Sequence, residues 1–398
     1  MFRYNLIKKF SNFKIKQSLI ILYAGGFILS IATHITSYIN SSFIETFVDV
    51  QHIGLFFITA NIFTFIAMLF FTKIIIRLGN FTATKIILII AILSSLGLIS
   101  GISSWFLLPF FIFMWASFNL LWINLDIFVE SFTSNKNTGK TRAVFFTFIN
   151  IGIIFSPMIS AQLVLNEIYY NYVYLISACI LLIFYFLLGF VKNKVHKVIL
   201  YEKKSMKKTA VDFWKDKTLR GIYGVSFFLN LFFAVAVVYM PLYLHNELGF
   251  NWTSIGIMFS FMLLPFVLLE IPAGVIADKY LGEKELLYTG FIILTISLFF
   301  FGISGPKSFL FWTMLLFFSR VGSALIEAMR ESRFFKIVDA ENVSYINFLR
   351  TSYPLGYLIG TGLGVILLQW FNIPSLFILM SILFLFSFYF VQIIKDSK

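Results

Sequence analysis

Residues 270–284 read EIPAGVIADKYLGEK, a charged stretch with a glycine turn set between two strongly apolar runs. What surrounds it decides what the charges mean. The chain has 398 residues, of which 60% are hydrophobic and only 12% charged. Charged residues are almost never fully buried, so a soluble domain of this size needs more of them for its surface. The apolar segments repeatedly reach the roughly 20 residues that cross a bilayer as a helix. The stretch is a polar break between two membrane-spanning helices.

Marking the other breaks gives twelve spans, at 17–39, 52–76, 85–104, 106–130, 143–165, 171–191, 220–244, 253–277, 285–304, 308–330, 345–371 and 375–394. The N-terminus is basic and then apolar, like a signal peptide, but no small-residue cleavage site follows, so the first run reads as a retained span. Of the 31 basic residues, all but Lys307 and Arg320 fall in segments on one side of the membrane. The positive-inside rule therefore predicts that both termini are cytoplasmic, and the net charge of +13 reflects topology rather than nucleic-acid binding. The expected location is the cell membrane. The lysine-rich segment 192–219 reads as a basic cytoplasmic linker, either solvated or touching anionic lipid. It separates an N-terminal six-helix bundle, 1–191, from a C-terminal one, 220–398.

Cys179 is the single cysteine, which excludes a disulfide framework and a Cys/His metal cluster. His34, His52, His196 and His245 scatter without metal-ligand spacing, so no metal site is expected. No phosphate-cradling G-x-x-x-x-G-K-[ST] loop is present. A membrane enzyme would need clustered acids or histidines at one interface, and a channel a continuous polar lining. Neither pattern is seen.

The chain can be laid on itself with an offset near 201. Gly54 then falls near Gly256, and Asn119, Asp126, Glu130 and Ser131 fall on Arg320, Glu327, Glu331 and Ser332. Such parallel repeats place a solute near the bilayer midplane, between the halves. With twelve spans and a long linker after the sixth, nearly the whole chain resembles the major facilitator superfamily of secondary transporters. The resemblance implies an all-α integral membrane fold of twelve transmembrane helices in two six-helix pseudo-repeats. It also implies alternating access to one small-molecule site in a lipid-embedded protein, expected to be a monomer, with no cofactor and no nucleic-acid partner.

The opening stretch is similar to the family's cytoplasmic loop pattern, here Gly274, Asp278, Lys279, Gly282 and Lys284, with one extra residue before Gly282. In the first half only Arg77-Leu78-Gly79 remains of it. Asp278 is expected to face a helix N-terminus of the other half or to pair with a cation such as Arg142, holding the cytoplasmic side shut. Gly274 is expected to let helices approach closely, and Gly282 to permit a tight turn. The alternative is a set of interfacial charges.

Intramembrane polar residues give the candidates for transport and proton coupling. Glu270 lies eight residues before Asp278, roughly 12 Å deeper at about 1.5 Å per residue. Glu327 and Glu331 follow Arg320 by seven and eleven residues, which puts all three on one helical face. Arg320 and Glu327 are expected either to form a bracing pair or to take part in proton exchange. Asn119 and Asp126 repeat that face in span 4, and Glu130 and Glu331 are expected to be gate or interface charges. His34 can relay a proton or serve as an interhelical hydrogen bonder. Asn61, Asn150 and Asn230 are solute ligands or helix glue.

Span 5 carries Gly152, Ser156, Pro157, Ser160 and Ala161, which resembles the superfamily's antiporter pattern. Small residues with a proline suit a close, bent helix contact. That resemblance points to the drug/proton antiporter type and to proton-driven efflux of a small, partly apolar compound. Proton-coupled uptake of a metabolite is the alternative, and a non-transporting scaffold or receptor is a third reading.

Overall fold

The structure is a computed structural model that describes residues 2–100, 103–132, 138–164, 170–190, 205–303, 306–338 and 343–395. Its helices in chain order are α1 (Phe2–Ser37), α2 (Asn40–Glu45), α3 (Val50–Leu78), α4 (Asn80–Leu98), α5 (Ser104–Phe132), α6 (Thr138–Leu163), α7 (Tyr170–Gly189), α8 (Met206–Lys215), α9 (Lys217–Leu242), α10 (Trp252–Met262), α11 (Leu264–Leu268), α12 (Glu270–Lys279), α13 (Glu283–Ile303), α14 (Phe309–Phe335), α15 (Val343–Arg350), α16 (Ser352–Leu367), α17 (Ile373–Leu383) and α18 (Ser387–Ile393). No strand occurs among the described residues. Only a helix satisfies its own backbone inside hydrocarbon, which is why this composition folds this way.

Among the described residues, eleven stretches are long and apolar enough to cross a bilayer. The expected span at 345–371 is interrupted, with α15 ending at Arg350 and α16 starting at Ser352. Pro354 explains the break, because it cannot donate to the Arg350 carbonyl four residues earlier. Together α15 and α16 still traverse the bundle. Asn347 reaches Met68 and Thr72 near the end of α3, while Gly364 packs on Tyr239 near the end of α9. The span expected at 253–277 is likewise three segments, α10 to α12, broken around Pro265. Short-range bonds such as Leu263 N–H to the Ser260 carbonyl (3.3 Å) and Leu269 N–H to the Pro265 carbonyl (2.9 Å) satisfy the backbone there.

The two halves, α1–α7 and α9–α18, meet along α3 against α16 and α6 against α10. The two seams are related by the repeat. At Gly54 on α3 an added Cβ would lie 2.9 Å from the Thr361 carbonyl and the Tyr239 hydroxyl. At Gly256 on α10 it would lie 2.9 Å from the Pro157 carbonyl and would strike the Ala161 Cβ. Both crossings sit on the face of the bundle opposite the chain termini. Asn246 adds a 2.7 Å hydrogen bond to Glu45 on that face. The turns after α3 and α12 contain Gly79 (φ 77°) and Gly282 (φ 123°), a backbone region that favours glycine at both repeat-related places.

Residues 192–204 of the expected linker lie outside the described residues. Its second part is the docked helix α8, capped by Ser205. Phe213 is fully buried, with its ring 4.7 Å from Phe348 and 5.6 Å from Tyr345. The Tyr345 hydroxyl donates to Asp212 at 3.0 Å.

Candidate substrate cavity

A cavity of about 370 Å³ lies between the halves. Its walls come from α1 (His34), the turn after it (Tyr38), α5 (Trp115, Asn119, Trp122, Asp126), α6 (Ile149, Asn150), α9 (Ser226, Asn230, Phe233), α14 (Arg320, Glu327, Arg330), α15 (Leu349, Arg350) and α16 (Ser352, Tyr353, Tyr357). Two tiers differ in chemistry.

The middle tier is aromatic around one cation. Tyr353 and Tyr357 have ring centroids 4.6 Å apart, and Trp115 lies 5.5 Å from Tyr357. Trp115 is fixed by donating its indole N–H to Asn61 at 3.2 Å, so Asn61 acts as helix glue. Arg320 is 2% exposed, and its guanidinium carbon lies 4.9 Å and 5.6 Å from the ring centres of Phe232 and Phe233. Arg320 and Glu327 were expected to form one pair or one exchanging unit. Among the described residues no carboxylate pairs with Arg320, and Glu327 turns instead to Arg330 at 3.7 Å, one turn along its own helix.

The second tier, toward the face of the termini, is charged. Arg330 donates to Ser226 at 3.1 Å and to Glu331 at 2.6 Å. Arg350 holds both oxygens of Glu331, at 2.8 Å and 3.3 Å, and lies 3.7 Å from Asp126. Asp126 belongs to α5, so the charged chain Asp126–Arg350–Glu331–Arg330–Glu327 crosses from one half to the other. Glu331 is therefore an internal member of an ion-pair chain. The Glu327 side chain is 43% exposed, open to the cavity.

His34, Asn119 and Asn150 also line the cavity. The His34 ring nitrogen Nδ1 meets the Ser30 carbonyl at 2.9 Å and Thr33 at 3.0 Å. Asn119 donates back to the Trp115 carbonyl at 2.9 Å. Asn150 reaches across the halves to the Phe266 carbonyl at 3.5 Å, and Asn230 donates to Ser226 and Ser352 at 2.8 Å and 3.2 Å. In α6, Gly152 abuts α1 at the Phe27 carbonyl, and the Ser156 and Ser160 hydroxyls bond back to their own helix. Pro157 and Ala161 form the seam with α10.

The loop residues behave differently from one another. Arg77 and Lys279 are exposed. Lys284 donates to the Gln392 carbonyl at 2.8 Å, within its own half. Gly274 does not mediate a close helix approach, since an added Cβ would meet nothing within 4 Å. Glu130, Arg142, Glu270 and Asp278 lie outside the residues whose side chains are described.

Sequence reasoning missed Arg330, Arg350, Tyr38, Tyr353 and Tyr357. Arg330 and Arg350 sit at the edges of apolar runs and read as loop charges. The i, i+3 spacing of Glu327 and Arg330 was the available signal for the first of them.

A helical membrane bundle of two pseudo-repeated halves with a cavity between them has the build of a secondary transporter. The chain belongs to the Major Facilitator Superfamily, which matches it over residues 18–330 and again over 223–397. It is thus a multi-pass membrane protein of a transporter family rather than of an enzyme family. A stretch of 88 residues is 35% identical to the melibiose permease of Enterobacter cloacae subsp. cloacae, covering 22% of this chain and 20% of that protein.

Proposed function

We propose that the chain moves a small, partly apolar solute across the cell membrane by alternating access, driven by the proton gradient, with both termini in the cytoplasm. The observation that carries this reading is the charged chain from Asp126 to Glu327, which ties the two halves at one end of a cavity they share. Parting of Asp126 from Arg350 lets the halves separate on the side of the termini. The distribution of basic residues supports a cytoplasmic assignment for that side.

Glu327 is the proton carrier in this scheme, being open to the cavity and beside Arg330. A proton on Glu327 cancels its charge and leaves Arg330 to Glu331 alone. Glu331 then holds Arg350 less tightly, and Arg350 turns toward Asp126. Proton loading thereby favours closure on the side of the termini.

Export in exchange for protons is the direction that the antiporter-like run Gly152–Ala161 supports. Uptake by symport is the second reading, favoured by the 88-residue likeness to a permease. Inside-out vesicles with an imposed pH gradient, a pH-sensitive dye and a varied panel of compounds decide between them. Collapse of the gradient by a compound in wild type, and not in Glu327→Gln, is the expected result for export. With compound added outside, export collapses a gradient that is acid inside. Collapse only of a gradient that is acid outside, where compound and proton enter together, would favour uptake instead, and flux insensitive to any gradient would remove proton coupling.

A further inference from the structure

We infer that the solute is an organic monoanion, a carboxylate on an apolar body, and that Arg320 is its counter-charge. The inference rests on the cavity being a transport site. Arg320 lies near the middle of α14 and lines the cavity. Among the described residues its Nε and Nη1 atoms have no hydrogen-bond partner, and the polar group that interacts with the guanidinium is the neutral Tyr38 hydroxyl. The other two arginines of the cavity each have acids: Arg330 has Glu327 and Glu331, and Arg350 has Asp126 and Glu331.

A desolvated cation without an anionic partner is disfavoured, and contacts with aromatic faces and with the neutral Tyr38 hydroxyl offset that only partially. Phe232 and Phe233 therefore compensate Arg320 only in part. A ligand carboxylate completes the compensation, and engaging the covered Nε and Nη1 atoms takes a side-chain rotation of Arg320. The walls set the rest of the solute's chemistry. Trp115, Trp122, Tyr353 and Tyr357 accept an apolar or aromatic body. Among the described residues Arg320 is the one cavity arginine without an acid, so a single negative charge matches it. A dicarboxylate or a phosphate ester brings more charge than the tier balances.

Full-length protein in lipid nanodiscs is titrated calorimetrically with acetate, cyclohexylacetate and 3-phenylpropionate, each against its own amide, and thermal melting is followed in parallel. Cyclohexylacetate or 3-phenylpropionate should bind at least tenfold tighter than the matching amide. Arg320→Gln should erase that preference, and Arg320→Lys should keep part of it. Equal binding of acid and amide across the series, or no binding of any carboxylate, overturns the inference. So does a preference that survives Arg320→Gln; should that variant not fold, an undiminished preference in Arg320→Lys counts the same way. Flux of 3-phenylpropionate separates the two layers of the argument. Binding that depends on Arg320 without flux keeps the anion site and sinks the transport reading. Flux of amides that is unchanged in Arg320→Gln keeps transport and sinks the anion site.

Discussion

Arg350 at the end of α15 joins two acids from opposite halves: Glu331 at 2.8 Å and Asp126 at 3.7 Å. One guanidinium thus serves as both an internal brace and a clasp between halves. Its planar fork suits this double role, since one edge can stay on Glu331 while the clasp is released. Asn347, one turn earlier, adds a second bond across the interface to Thr72 at 3.1 Å.

The clasp gives a first prediction. The pair is partly exposed, at 26% and 21%, so its value is up to about 1 kcal/mol, or about fivefold in a population ratio. Asp126→Asn should raise the labelling rate of a single cysteine at position 123, introduced in a Cys179→Ser background, by several-fold from the side of the termini. Asn347→Ala combined with it should raise the rate further. Unchanged rates in both variants would remove the clasp from the closure mechanism.

Glu327 carries the second prediction. Glu327→Gln keeps the shape of the side chain and removes its charge, so Arg330 remains bonded to Ser226 and Glu331. Exchange of solute across the membrane should persist with little pH dependence, and accumulation against a gradient should be lost. The check is the pH profile of both fluxes between pH 5 and 8 in reconstituted vesicles. A variant that still accumulates solute with the wild-type profile places the proton elsewhere.

The spans were legible in the sequence because lipid imposes a one-dimensional constraint on the chain. The polar face of α14 was legible from helical periodicity. Its pairing was not, because periodicity says which residues share a face and not which neighbour each one turns to. Glu327 took Arg330 on the next turn, leaving Arg320 among rings. Arg350 was hidden for a different reason. It was counted with the basic residues at the membrane edge of a span expected to run unbroken over 345–371, and the break before Pro354 that turns it toward Glu331 and Asp126 was not read. The loop glycine Gly274 shows the limit of reading a pattern without its packing: the pattern is present, and the crowding it suggests is not.

The docked helix α8 yields a stability prediction. Phe213 is fully buried among Tyr223, Phe334, Tyr345 and Phe348, aromatics from α9, α14 and α15. Truncating a buried phenylalanine costs about 3–5 kcal/mol. Phe213→Ala should lower the melting temperature in detergent clearly, while Lys207→Ala on the exposed side of α8 should leave it within error. Equal melting of both variants with wild type would mean that α8 is not part of the folded bundle.

The seam glycines give the last prediction. Gly54 and Gly256 occupy repeat-related places, and both lie where helices of opposite halves cross at backbone contact. A β-branched side chain at either place must push the seam apart, an overpacking that typically costs about 1–3 kcal/mol. Because that strain is relieved when the halves part on this face, it acts on the transport equilibrium before it acts on folding. Gly54→Val and Gly256→Val should therefore fold, lose most of their flux, and become more open to a membrane-impermeant thiol reagent from the face opposite the termini. Gly274→Ala is the contrasting case, with open space where the new methyl goes. It should keep its flux and gain up to about 1 kcal/mol in stability from better helix propensity. Severe loss of flux in Gly274→Ala with normal flux in Gly256→Val would invert the assignment, making the loop the crowded element and the seam a loose one.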